Sequence, residues 1–532
     1  MKYILITISI LFLSCRNSES NRIDNIIRYN ETSNITSLDP IYSNTQANIW
    51  ATSQIFNTLV ELDENAEIQP SLAKSWIISE CGTTYKFFLR DDVFYHSSDC
   101  FGNDSTRKIS AYDFLFSISR INNEKKISPG KWVLDYINVD GVRALDDITL
   151  EIQLPKKFPG LLGLLSMPYF SFIPYEAVDF YGDNFSFNPI GTGPFKFKKW
   201  KKNEKLILVK NKKYFEYDEN NQQIPYADGV SISFISQKES VFMNFILNKF
   251  DFISGLDNSF RDELILANGE LKLEYKNRFQ ILSTPYLNTE YLGIHLPKVV
   301  DDNSPLMYKN FRKALNFSFS RDEMVKFLRN NIVSPAYSFV PNSLKPYSIN
   351  NHNSISDDSI KNLLKTVPNF DDIIILNTTS DYLDVCEFIQ HSASKFGINI
   401  KIEVTSPAVH RDIFSSGKSS LFRASWIADY PDPENFLSLF YSKNKSPNGP
   451  NYTHYDNEEF DYLYERSFFS SDSISRNKLF KKMEIIINEE SVVVPLYYDY
   501  TFRLLSSNIS NMSINCMNKL CLKNVKKITN DR

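Results

Sequence analysis

The sequence is poor in the residues that build reactive or metal-binding centres. Six cysteines and six histidines are spread over 532 residues. No two cysteines form a Cys-x-x-Cys pair and the histidines are scattered, so no zinc spacing is present. Neither Gly-x-Ser-x-Gly nor His-Glu-x-x-His occurs, which removes two common hydrolase signatures. Charge of one sign is not in excess. Lys and Arg number 59 against 63 Asp and Glu, a net −4 at pH 7, without the basic stripe that a nucleic-acid partner demands. Beyond the first 14 residues no apolar run approaches the roughly 20 residues that span a bilayer, so the body of the chain reads as soluble.

What is present fits a folded, multidomain protein. Hydrophobic residues make up 42% and charged residues 23%, ordinary for globular chains. Single cores stop growing near roughly 250–300 residues, so more than one domain is expected. At the N-terminus, Lys2 precedes an apolar run from Ile4 to Leu13 and the sequence Phe12-Leu13-Ser14-Cys15. The run has the length of a secretory signal core. Its ending resembles a bacterial lipobox, with Phe12 where Leu is usual. The resemblance implies loss of residues 1–14, acylation of Cys15 and a lipid-anchored tether over residues 15–21. In an oxidising compartment Cys81 could pair with Cys100, and Cys516 with Cys521; spacing leaves both pairings open. Cys386 falls on an apolar helix face and reads as core.

Several stretches are legible as elements. Thr84–Arg90 reads as a strand from its aromatic and apolar content. Ser110 with Asp113 marks a helix start, which makes Asp113 a capping residue and not a ligand contact. The run Asn188-Pro189-Ile190-Gly191-Thr192-Gly193-Pro194 demands a tight turn; without a following Lys-Ser/Thr it reads as structural and not as a phosphate cradle. Residues 373–425 alternate as a strand (373–376), a helix (381–395) with Val385, Phe388, Ile389 and Phe396 on one face, a strand (398–404), a short helix (408–416) and a strand (421–425). Gly397 stands where a helix ends. This β-α-β-α-β order predicts a parallel sheet in a mixed α/β protein.

Open parallel sheets bind ligands beyond the carboxyl ends of their strands. Here the third strand runs into Arg423-Ala424-Ser425-Trp426-Ile427-Ala428-Asp429-Tyr430-Pro431-Asp432-Pro433. Trp426 offers a broad apolar face and Asp429 a carboxylate, a combination suited to a ligand with an apolar part and a cation. Equally, Asp429 could cap the helix starting near Pro433, with Trp426 as core. Arg423 could meet a ligand carboxylate, or pair with Asp429 or Asp432 as scaffold, the latter favoured.

A resemblance bears on that choice. Ser37-Leu38-Asp39-Pro40, Pro70–Trp76, Tyr85–Arg90, Ile109–Phe114 with Ser117–Arg120, Gly191–Phe195, and Phe311–Asn316 with Arg321-Asp322 together resemble bacterial solute-binding protein family 5, which includes dipeptide- and oligopeptide-binding proteins. The Arg423–Tyr430 run is similar to the Arg-Ala-x-Trp-x-Ala-Asp-Tyr run of its oligopeptide-binding members. Cys81, Asp91–Tyr95 and Ser97–Phe101 depart from the family pattern. The resemblance implies a two-lobed, type II periplasmic-binding fold with an extra domain in the first lobe. The first lobe would comprise 22–69, 190–287 and 496–532, the extra domain 70–189 and the second lobe 288–495, with crossings near Tyr286-Leu287-Asn288 and Val494-Pro495. It implies a monomeric, non-enzymatic receptor without cofactor, anchored outside the cytoplasm by the lipid on Cys15, that hands peptides to the permease subunits of an ABC importer. Asp429 would hold the ligand's α-ammonium, with Trp426 and Arg423 in the cleft. Receptors of this fold for nickel chelates, haem, opines or sugars, a surface hydrolase, and a signalling receptor are the alternatives.

Overall fold

A computed structural model describes residues 25–255, 263–266, 269–344, 347, 354–470 and 472–528. The signal segment, the tether and Cys15 lie outside the described residues. Among the described residues no helix is long and apolar enough to cross a membrane.

The architecture is mixed α/β, organised on an eleven-stranded sheet. At one end the strands Ile374–Thr378 and Ile400–Val404 run parallel, with Ile374 opposite Ile400. Ile374–Thr378 is also parallel to Leu421–Ile427, as the β-α-β-α-β reading predicts. The helix between the first two strands spans Leu383–Ser394 and buries Val385, Cys386, Ile389 and Ala393, while Gly397 adopts φ +83° and turns the chain into the next strand. The second helix spans Pro407–Ser415. At the other end Ile26–Asn30 runs parallel to Gly229–Ser233, and the antiparallel Lys205–Lys210 and Phe195–Lys201 close the sheet.

Two long antiparallel strands join the ends. Phe279–Ile294 and Val493–Ser506 pair over most of their lengths, with the register interrupted between Pro285 and Thr289, opposite Tyr498–Tyr500. Their outer sections contact different apolar cores. One is built from Leu292–Ile400 with Leu421 and Val494–Tyr497, the other from Ile27–Phe56, Ile173–Phe252 and Leu505–Val525. A separate antiparallel sheet of Ala73–Ile78, Thr84–Leu89, Thr149–Gln153 and Val142–Asp146 stands apart from this spine.

The recurrent motifs turn out to be scaffold. Asp39 and Arg120 form a buried bidentate pair at 2.6 and 3.0 Å, which ties the Ser-Leu-Asp-Pro turn to the helix Ala111–Ile121. Stranding one member of such a pair costs about 3–5 kcal/mol. That helix begins with a capping box in which Ser110 N–H donates to Asp113 at 2.9 Å. Arg107 holds the same carboxylate at 2.7 Å, so Asp113 is structural. At the Pro-Gly turn, a Cβ added at Gly191 would lie 2.2 Å from the Ile55 carbonyl oxygen, and one at Gly193 2.5 Å from its carbon. The glycines there permit close backbone approach, and Gly193 N–H donates to Ile55 at 2.8 Å. The five cysteines are free, so neither disulfide that the spacing allowed is formed. Cys81 instead shares hydrogen bonds with Ser79 and Thr83 at an exposed turn, and Cys386 is fully buried with its thiol pushed up to about 11 by burial.

Candidate functional site

The strand Leu421–Ile427 carries the site because it is covered on only one side along its second half. Phe279–Ile294 pairs with its whole length, from Ile294 opposite Leu421 to Asn288 opposite Ile427. Its other neighbour, Ile374–Thr378, reaches only Leu421 and Phe422. From Arg423 onward the outer edge has no strand beside it among the described residues. Edges of this kind accept an extended chain through main-chain hydrogen bonds. Ser425 and Ile427 are exposed along this section, whereas Ala424 and Ala428 are buried.

Beyond the strand, Tyr430 is buried and locks the loop. Its ring meets Phe158 edge-on at 5.8 Å, and its hydroxyl donates to Glu434 at 2.5 Å. Tyr464 donates to the same fully buried carboxylate. Gly163 leaves room for this packing: a Cβ there would already lie 3.1 Å from Cβ of Tyr430. The helix Pro433–Leu437 is capped by Asp432, which accepts Glu434 N–H at 2.9 Å and pairs with Arg476 at 2.6 Å. Asp429 is therefore released from the capping role that the sequence left open.

What holds Asp429 is an amide. Asn435, on that short helix, accepts from Asp429 N–H at 3.1 Å and from Trp426 Nε1 at 3.0 Å through one oxygen, and its nitrogen donates to the Asp429 carboxylate at 3.4 Å. Trp426 and Asp429 are thus fixed relative to each other by a single side chain that the sequence reading did not single out. Trp426 is half-buried, partly packed on the core and partly open. The Asp429 carboxyl is pushed up to about 6 by burial, opposed only by the Asn435 hydrogen bond; no cation contributes. The phenols of Tyr169 and Tyr452 feel its charge, so aromatic groups border it.

Arg423 is placed differently. Its guanidinium pairs with buried Glu290 at 3.1 Å and lies 3.4 Å from the ring centre of Tyr382. The acid that holds it is Glu290, neither Asp429 nor Asp432. Its Nε has no partner. Glu290 also accepts from Asn288 at 3.2 Å and Tyr382 at 3.3 Å, and burial pushes it up to about 7 despite Arg423. Glu290 was detectable in principle, as an acid inside the apolar strand Asn288-Thr289-Glu290-Tyr291-Leu292. The site therefore has two parts: an uncompensated carboxylate beside an indole, and a buried Arg–Glu pair one strand further in.

Comparisons with known proteins place the chain among relatives of one family. Residues 67–448 match the family described as bacterial extracellular solute-binding proteins, family 5 Middle. The periplasmic oligopeptide-binding protein OppA of Salmonella typhimurium is 26% identical over 512 residues, covering 90% of this chain and 87% of that protein. The probable deoxycholate-binding periplasmic protein YgiS of Escherichia coli is 25% identical, covering 92% and 91%. Among solved structures, DppA from Helicobacter pylori in complex with the peptide STSA superposes with a TM-score of 0.77 at 26% identity, covering 95% and 98%. The neighbours share the type II periplasmic-binding fold.

Burial of an ionised Asp429 has a stability cost that can be measured. Its folded-state value, raised above the unfolded one, means that ionisation opposes folding once pH exceeds both values. In the ligand-free protein, Asp429→Asn is expected to be more stable than wild type at pH 7, by about 2–3 kcal/mol. By pH 4, where the carboxyl is protonated in the folded protein, most of that gain should be gone. Thermal unfolding of both proteins across this range checks it; a variant less stable than wild type at pH 7 would show Asp429 to be a structural anchor.

Proposed function

The chain belongs to the bacterial extracellular solute-binding proteins of family 5, and from that premise we propose that it is a receptor capturing peptides in a cleft between two lobes for delivery to an ABC importer. The observation that carries the reading is Asp429: a carboxylate raised by burial, bonded to one amide, with no positive group of its own. A peptide's α-ammonium supplies the missing charge. The edge of Leu421–Ile427 beyond Arg423 supplies main-chain partners for an extended ligand whatever its sequence. Trp426 and its aromatic surroundings supply apolar contact for a side chain.

In this reading the lobes are those the resemblance implies: 22–69, 190–287 and 496–532 with the extra domain 70–189, against 288–495. The two long strands are the connection, and the register break at Pro285–Thr289 is where they bend as the lobes close. Closure removes water around Asp429 and strengthens its attraction for the ligand's charge. The protein works as a monomer and performs no chemistry on the ligand. Arg423, already paired with Glu290, fixes the wall of the cleft.

A bile acid such as the one named for YgiS is a second ligand class within the family. Deoxycholate carries a carboxylate and no cation, so it would leave Asp429 uncompensated. Asp429 therefore favours the peptide.

Breaking one partner of a desolvated ion pair costs about 3–5 kcal/mol, a loss of affinity of about 100- to 4,000-fold. Isothermal titration with unblocked tripeptides is expected to show that loss in Asp429→Asn, and a similar loss in wild type when the peptide is N-acetylated. Unchanged affinity in both cases would remove Asp429 from the site.

The anchor is the second part of the proposal. The apolar run Ile4–Leu13 followed by Ser14-Cys15 supports acylation of Cys15 after removal of residues 1–14. Cys15→Ser should shift the full-length protein from the membrane to the soluble fraction of cells. Membrane retention of that variant would overturn the assignment.

A further inference from the structure

Where the two long strands lose register, another carboxylate stands without a counter-ion. Asp499 is largely buried and lies opposite the interruption between Pro285 and Thr289. It accepts the N–H of Tyr500 at 2.8 Å and is supported by the Asn288 amide. The neighbouring charges are already committed. Arg423 pairs with Glu290 at 3.1 Å, and Arg329 with Asp384 at 2.7 Å. Arg329 attracts Asp499 without forming an ion pair with it among the described residues. The cluster therefore holds three acids and two arginines.

A second observation points to a ligand. The carboxamide oxygen of Asn288 has no hydrogen-bond partner among the described residues, although the residue is only 3% exposed. The nitrogen of the same amide donates to Glu290 at 3.2 Å. A buried acceptor without a donor is costly unless something arrives to satisfy it. Beside it stands a carboxylate without a cation. Both lack the same thing, an N–H group that carries positive charge.

The position relative to the open edge matters as much as the charge. Asn288 is in register with Ile427 and Glu290 with Ser425, the two exposed residues of the strand along which an extended ligand would lie. The cluster sits one strand inward from that edge.

We propose that Asp499, with Asn288 and Glu290, forms a pocket for a positively charged ligand side chain, so that this receptor prefers peptides containing lysine or arginine. The proposal rests on the peptide-receptor reading and narrows it. A lysine ammonium in the pocket donates to the Asn288 oxygen and to Asp499, while its three-donor head leaves the Glu290–Arg423 pair intact. An uncharged side chain satisfies neither group. Charge-assisted hydrogen bonds of this kind correspond to about a 10- to 100-fold preference.

The test uses calorimetric titration of the mature protein with alanine tri- and pentapeptides that carry a single lysine at each position in turn, against the all-alanine peptides. In wild type, one lysine position should bind about 10- to 100-fold tighter than its alanine counterpart. In Asp499→Asn and Asp499→Ser, with folding verified by thermal unfolding, that ratio should fall toward one. Binding of the peptides by wild type with no lysine preference at any position overturns this proposal alone, and so does a preference that survives both substitutions. Failure of every peptide to bind overturns the receptor reading and the pocket with it.

Discussion

A carboxylate that is partly desolvated with no cation beside it is an unstable thing to build into a protein, and among the described residues the loop after Leu421–Ile427 holds one. Burial raises Asp429 toward neutral pH, and the Asn435 amide offsets only part of that. A capping role or an internal salt bridge would have removed the strain, and both are already filled elsewhere. Asp432 caps the adjacent helix, and Arg476 pairs with Asp432. In the proposed receptor the acid stays in place and unspent until a ligand brings the charge.

The surrounding fold keeps that acid positioned. Asn435 ties the indole and the carboxylate to one amide, so the apolar and the charged contacts move as a unit. Tyr430 and Tyr464 close on Glu434 and hold the loop from behind. The open strand edge lies directly before the loop that carries Asp429. Glu290 and Arg423 neutralise each other inside the sheet. The long strands that carry Glu290 and Asp499 are also the connection between the two ends of the sheet.

How far this was legible in the sequence differs by element. The region from Ile374 to Ile427 was readable because its periodicities switch cleanly between two and 3.6, and the parallel ladder follows from that order. The Ser110–Asp113 helix start and the Pro-Gly turn at 188–194 were readable because local side-chain and backbone chemistry decides them. The roles of Asp39 and Arg120 were not, since their pairing joins residues 81 positions apart. The same reason hid Glu290 as the partner of Arg423, 133 positions away. Asp429 and Trp426 drew attention by their place after a strand, but deciding between cap and ligand group needed the position of Asp432, and the linking role of Asn435 has no signature in a single sequence. The cysteine spacings allowed disulfides that the fold does not form.

The central claim is that Asp429 waits for an external cation, and proton linkage tests it most directly. Near pH 6 a fraction of the carboxyl is protonated in the empty protein, and a bound ammonium must favour the ionised form. Calorimetry of one unblocked peptide at pH 6, in buffers of different ionisation enthalpy, counts the protons exchanged on binding. Wild type is expected to release a fraction of a proton, and the Asp429→Asn variant to release less by that fraction. Equal proton release by both proteins, or uptake in wild type, would contradict the account.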